Sequence, residues 1–146
     1  MFYVIDMKKD ELLEMGIIVS IKKEYTERIE KLIKNYEFRN YIPKRKFKYL
    51  IVHESGNGIK YIIEVGNIVK YPDKIDNSGY GNSKFNKGDG SQYAYFIKHL
   101  YKLNQVLPYQ YLKSKYNFNP PQAFTYAKMY KNLVNEVKNA PKCKLK

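Results

Sequence analysis

At 146 residues with a single cysteine, Cys143, the sequence has the length of one domain and can bury a core without disulfide staples. No stretch approaches the roughly 18 apolar residues of a membrane-spanning helix, and the opening Met-Phe-Tyr-Val-Ile-Asp is too short an apolar run for a signal peptide. A soluble, cytoplasmic protein with no membrane partner is expected, the lone cysteine fitting a reducing compartment. The net charge of +13 is unevenly spread: residues 1–76 hold 15 basic and 12 acidic side chains, whereas residues 77–146 hold 12 basic and 2 acidic, Asp89 and Glu136. A basic half attracts polyanions through counterion release, and sixteen tyrosines offer flat faces on which unpaired bases can stack. A composition rich in Lys, Asn, Ile and Tyr is also what an AT-rich genome encodes.

In chain order, Lys8–Met15 reads as a short helix ended by Gly16, and Ile17–Ile21 as a β-branched strand. A helix follows from about Lys23 to Lys34, with Tyr25, Ile29, Leu32 and Ile33 as its core stripe and acidic residues early, basic ones late. The stretch from Lys34 to Lys46 is where helical periodicity stops and strand periodicity begins. If it is extended from Tyr36, then Glu37 and Arg39 point to one face and Tyr36 and Phe38 to the other, making the aromatics the anchors and the charged pair the presented group. The chain has 24 Lys and only three Arg, at 28, 39 and 45. Two of the three fall in this stretch, and arginine differs from lysine where a planar, bidentate or stacking contact is needed. Lys34, Glu37, Arg39 and Arg45 are therefore the candidate ligand-binding residues, set against the alternative of a solvated turn with a weak surface ion pair.

Two strands, 47–53 and 59–70, are joined at Ser55-Gly56-Asn57-Gly58, where Asn-Gly signals a hairpin rather than a phosphate loop. In the second, Ile59, Tyr61, Ile63 and Val65 share one face and Lys60, Ile62 and Glu64 the other. Residues 77–91 carry four of the eight glycines without apolar periodicity and read as a long mobile loop. Residues 92–102 form the next strand, with Tyr93, Tyr95, Ile97 and His99 on one face. His53 and His99 lie near strand ends with no third ligand candidate, so structural histidines are expected, with no metal and no cofactor. Pro108 opens a helix over 109–116, residues 117–126 are extended by their prolines, a last helix spans about 126–138, and the Lys-rich tail 142–146 reads as frayed.

Three stretches together resemble the ASCH domain family of the PUA-like superfamily. Leu32-Ile-Lys34-Asn-Tyr-Glu37-Phe-Arg39 is similar to the family's Gly-x-Lys-x-x-Glu-x-Arg. Tyr49-Leu-Ile-Val-His-Glu-Ser, followed by Ile63-Glu64-Val65-Gly66, resembles its central hairpin, and Pro120-Pro121-Gln122-Ala123-Phe124-Thr125-Tyr126 its closing Pro-Pro-Gln-Ser-Phe. The resemblance covers about residues 17–126 and implies an α+β fold, a small PUA-like mixed β-barrel of about five or six strands with helices at its ends, here with extra N- and C-terminal helices within a single domain over 1–146. Leu32 replaces the family's glycine, and with it the close backbone approach a glycine would permit.

The resemblance implies binding of RNA or a modified nucleobase in a cleft beside Lys34, Glu37 and Arg39. Some bacterial members are amidohydrolases on N4-acetylcytidine that use a Lys, Thr and Glu set. Lys34 matches that lysine, but Glu37 stands at the Thr position, and beside it the Lys34 amine is expected to stay protonated. If the protein is an enzyme, an amidohydrolase or a ribonuclease, Lys34 and Glu37 are its candidate catalytic residues. A third alternative is a basic interaction domain for an acidic protein partner.

Overall fold

In the computed structural model, which describes residues 10–146, one mixed sheet curls into a half-barrel, and the fold is α+β. Among the described residues its strands number seven: β1 (Gly16–Ile21), β2 (Tyr36–Arg39), β3 (Tyr49–Glu54), β4 (Gly58–Lys70), β5 (Tyr93–Pro108), β6 (Thr125–Tyr126) and β7 (Lys142–Lys144). The order is β2-β5-β4-β3-β1-β6, with β7 added beside the later part of β5. Among the described residues only β1 and β3 pair in parallel, and the chain between them runs through α2 (Lys23–Glu30) and then β2 at the end of the sheet. The remaining α-helices are α1 (Glu11–Met15), α3 (Asn82–Asn86), α4 (Tyr109–Tyr116) and α5 (Lys131–Asn139), the last preceded by a 3-10 turn, Ala127–Tyr130. The helix expected from Lys8 is thus seen from Glu11, its first two residues lying outside the described part of the chain.

Each sheet face carries its own core. Ile17, Val19, Leu50, Val52, Ile63 and Tyr95 fill the concave side with Ile29 of α2. Ile18, Ile51, Ile62 and Leu103 lie against Leu12, Leu112, Leu133 and Val137, which α1, α4 and α5 supply. The alternation of β1 and β3, buried on both faces, follows from this layering. The expected face of β4 breaks at one position: Ile59 joins Ile62 rather than Tyr61, because the register against β5 shifts between Ile59 and Tyr61. Such a bulge adds a residue to one strand and turns the side chains beyond it to the other face.

Two segments are more ordered than their composition suggests. Residues 77–91 are no mobile loop, since they contain α3, and Asn82, Phe85 and Asn86 are buried. The tail is not frayed: β7 pairs Lys142–Lys144 with Tyr101–Leu103, and the Lys142 side chain is fully buried, its amine donating to the carbonyls of Lys138 and Ala140 at the end of α5. No helix among the described residues is long and apolar enough to cross a membrane.

Candidate functional site

The site begins where α2 ends. Leu32 takes φ 62°, in the left-handed region, so the helix stops at Glu30 instead of running to Lys34. The Leu32 N–H bonds Ile29 O at 3.0 Å and the Ile33 N–H bonds Arg28 O at 2.9 Å, the paired bonds of a Schellman cap. This corrects the expected stripe: Leu32 and Ile33 are 56% and 53% exposed rather than core. Leu32 thus stands at a left-handed C-terminal cap, a position where glycine is favoured. Two residues on, the reversed chain carries Lys34 inward.

Lys34, Glu37 and Arg39 form one connected group. The Lys34 amine lies 3.3 Å from Glu37 Oε1 and donates to the Tyr36 carbonyl. Arg39 approaches Glu37 Oε2 through Nη2 at 2.9 Å and Nε at 3.1 Å, and Nη2 also donates to Ser20 O of β1 at 3.1 Å. Lys34 and Glu37 are buried, while Tyr36 and Phe38 are half-buried, the reverse of the expected anchors and presented pair. The reason is curvature: Glu37 pairs with Tyr95 in register and so faces the concave core, and β2 forms one lip of the half-barrel. Burial pushes the Lys34 amine below its ordinary value, and Glu37 opposes this without cancelling it, so the amine is easier to deprotonate than that of an ordinary lysine.

The outer face of β2 is covered by the segment read as a loop. Phe85 of α3 stacks on Phe38 with centroids 5.7 Å apart, and Tyr80 meets Tyr25 edge-on at 6.3 Å. Arg28 lies 4.2 Å over the Tyr80 ring. Asn86 pins the fold of this segment, donating to Ile75 O at 2.7 Å and accepting from the Ile75 N–H at 2.9 Å. Gly81, at φ 84°, allows the close passage, since a Cβ there would stand 2.9 Å from Phe38.

Between these parts lies a cleft of about 270 Å³. Lys34 and Glu37 line its buried end, Tyr25, Phe38, Tyr80 and Phe85 its sides, and the exposed Lys84 its mouth. The Lys34 amine stands 4.4 Å from the Phe38 centroid and 5.9 Å from that of Tyr25. Of its three hydrogens, Tyr36 O and Glu37 take two. Among the described residues no third acceptor is paired with it, which leaves one donor for a ligand. Glu37 Oε2 takes both Arg39 donors and Oε1 the Lys34 amine, so the carboxylate aligns the amine and keeps one acceptor site on Oε1.

Arg45 is not part of this cleft. It is exposed, its guanidinium 5.0 Å over the ring of Tyr126 and its backbone N–H donating to that hydroxyl at 3.1 Å. Tyr80, Lys84 and Phe85 escaped the sequence reading because the glycines around them masked α3; the two aromatics five apart were the available signal. Tyr25 belongs to the expected core stripe, and it is half-buried in the cleft wall. His53 faces Ser20 Oγ at 3.2 Å and packs edge-on against Tyr109 and Phe118, and burial pushes its pKa down. Among the described residues no three His, Cys, Asp or Glu side chains gather as a metal set.

No family model matches the sequence, and no curated protein matches it. Solved structures do. ASCH from Zymomonas mobilis superposes with a TM-score of 0.63 at 17% identity, covering 84% of this chain and 95% of that one. Two mutant forms of the same protein give TM-scores of 0.62 and 0.60 at 17% and 18% identity, each covering 96% of that chain.

Proposed function

Taking as premise the ASCH-like fold that these superpositions establish, we propose that the chain is a nucleobase-binding module, engaging RNA or a modified nucleoside through the cleft beside Lys34. The observation that carries this reading is the single uncommitted Lys34 donor facing a slot with aromatic sides. A flat heterocycle with an acceptor on its edge satisfies both features, since aromatic stacking is sequence-tolerant and one directed donor orients the ring. Glu37 and Arg39 act as positioning residues, holding the amine in place. Surface lysines of the second half supply sequence-independent attraction to phosphates.

Titration of nucleosides and single-stranded RNA at two salt concentrations tests this. Phe38→Ala and Lys34→Ala should each weaken nucleoside binding, and log affinity for RNA should fall with log salt by about 0.7 per phosphate contact. Nucleoside affinity that ignores both substitutions would remove the cleft from the account.

One observation favours a second reading, hydrolysis at the same place: burial lowers the Lys34 pKa, as a base or nucleophile requires. Incubation with N4-acetylcytidine separates the two. A donor role survives Lys34→Arg in large part, whereas a deprotonated amine cannot be replaced by a guanidinium. Turnover lost equally in Lys34→Arg and Lys34→Ala would establish the hydrolase.

A further inference from the structure

We infer that the unit recognised by the cleft is one whole nucleotide, base and phosphate together, with Lys84 as the phosphate-binding group that favours nucleotide over nucleoside. This rests on the cleft being a base site, and it adds the ligand's size, its charge and the residue that reads the charge.

Size comes first. Ligand pockets commonly enclose about 300 to 1,000 Å³, and this cleft, at about 270 Å³, falls just below that range. That size suits a single small ligand rather than a length of strand. Charge comes second. Among the described residues Glu37 is the only carboxylate lining the cleft, and it is matched by Arg39 and Lys34, so with Lys34 and Lys84 the lining carries a net positive charge. A neutral nucleoside leaves that charge unanswered.

Position comes third. The cleft is lined by two lysines, Lys34 buried and Lys84 exposed, and by four aromatic rings. A buried donor, flat walls and an exposed cation match a base edge, a ring face and a phosphate. Lys84 is held there by its helix, because Phe85 is locked between Phe38 and Tyr71. Its stem runs along the backbone bounding the mouth, since a Cβ on Gly90 would stand 3.8 Å from Lys84 Cγ. Its amine has no ion pair or hydrogen bond among the described residues, unlike Lys98 and Lys102, which are paired with Glu64 and Glu30. An ammonium free of internal partners at the mouth of a positive cleft is available to a phosphate.

The same chemistry is offered by a free nucleoside monophosphate and by one nucleotide of a strand, and calorimetry can distinguish them. Cytidine, uridine, adenosine and guanosine, their 5′-monophosphates and a short single-stranded RNA lacking terminal phosphates would be titrated into wild type, Lys84→Ala and Lys84→Glu. The monophosphate is expected to bind about tenfold more tightly than its nucleoside, the scale of a charge-assisted hydrogen bond. Lys84→Ala should close most of that gap, weakening monophosphate binding far more than nucleoside binding, and Lys84→Glu should invert it. RNA affinity that drops with Lys84→Ala assigns the ligand to a strand; sensitivity confined to the monophosphates assigns it to the free nucleotide. Nucleosides binding as tightly as their monophosphates, or Lys84→Ala weakening both alike, would overturn this inference and leave the base site standing. Absence of binding by nucleosides and monophosphates together would overturn both.

Discussion

Arg39 and Ser20 sit on strands that are not neighbours, β2 at one end of the sheet and β1 next to the other end, yet Arg39 Nη2 donates to Ser20 O at 3.1 Å. The half-barrel is therefore bridged across its open seam by a side chain. Two further bonds cross the same seam: Tyr41 Oη donates to Ala123 O at 2.9 Å, and the Arg45 N–H donates to Tyr126 Oη at 3.1 Å. The first and third stretches of the ASCH resemblance are thus its two lips. Both arginines of the Lys34–Lys46 stretch serve this closure. A planar fork lets Arg39 hold the Glu37 carboxylate and the Ser20 carbonyl together, and a planar guanidinium lets Arg45 lie on a ring.

Arg39→Lys should therefore weaken the seam although charge is kept, because the ammonium lacks the second donor that Nε gives to Glu37 and the planar fork that aims Nη2 at Glu37 and Ser20 together. Charge-assisted hydrogen bonds are worth roughly 1.5 to 3 kcal/mol each, and a loss of about that size is expected in urea unfolding. Unchanged stability in Arg39→Lys would show that the seam is held by packing alone.

Leu32→Gly should stabilise the protein. A left-handed conformation costs an L-residue with a side chain roughly 1 to 2 kcal/mol, and glycine escapes this but gives back about 0.5 to 1 kcal/mol in unfolded-state entropy. Leu32 is 56% exposed, so little packing is lost. A gain of about 0.5 to 1 kcal/mol is expected, while Leu32→Val, β-branched at the same φ, should destabilise. Denaturation midpoints of the three proteins check the order Gly, Leu, Val.

The layered core was legible because alternation along β3, β4 and β5 and the stripe of α5 report burial directly. Three things were not. The positive φ at Leu32 could not be read, since leucine is a poor marker for a glycine position. Residues 77–91 hid a cleft wall because their order comes from long-range contacts, Phe85 on Phe38 and Asn82 Nδ2 on Asn35 Oδ1, not from periodicity. The orientation of Glu37 was inverted because its face depends on which side the sheet curls, a property of the whole barrel rather than of four residues.

Burial of Lys142 makes stability pH-dependent. Desolvation brings its amine down to about 8, below its unfolded value, so between the two the unfolded chain binds more protons. Stability should consequently rise as pH increases from about 8, the cost of burying the charge being relieved as the amine loses its proton. Lys34, lowered for the same reason, adds in the same direction. Above about pH 10 the trend is opposed by Tyr61 and Tyr95, whose raised values favour proton retention in the folded state. Lys142→Met should flatten the rise between pH 8 and 10 in thermal melts; an equally steep profile in the variant would assign the effect elsewhere.

Glu37→Gln isolates what the carboxylate does for the amine. With its negative charge gone, Lys34 keeps the desolvation that lowers its pKa and the nearby Arg39 charge that lowers it further, and loses the opposing attraction. The amine should deprotonate at a lower pH than in the wild type, which acylation of Lys34 by a dilute anhydride across a pH series would register as an acid-shifted reactivity curve. If ligand binding uses the ammonium as a donor, nucleoside affinity in Glu37→Gln should fall near neutral pH and recover as pH is lowered. If the cleft instead needs a free amine, turnover of an N4-acylated cytidine should persist to a lower pH than in the wild type. Coincident reactivity curves for the two proteins would show that Glu37 does not govern the protonation of Lys34, and the positioning role assigned to it here would fall.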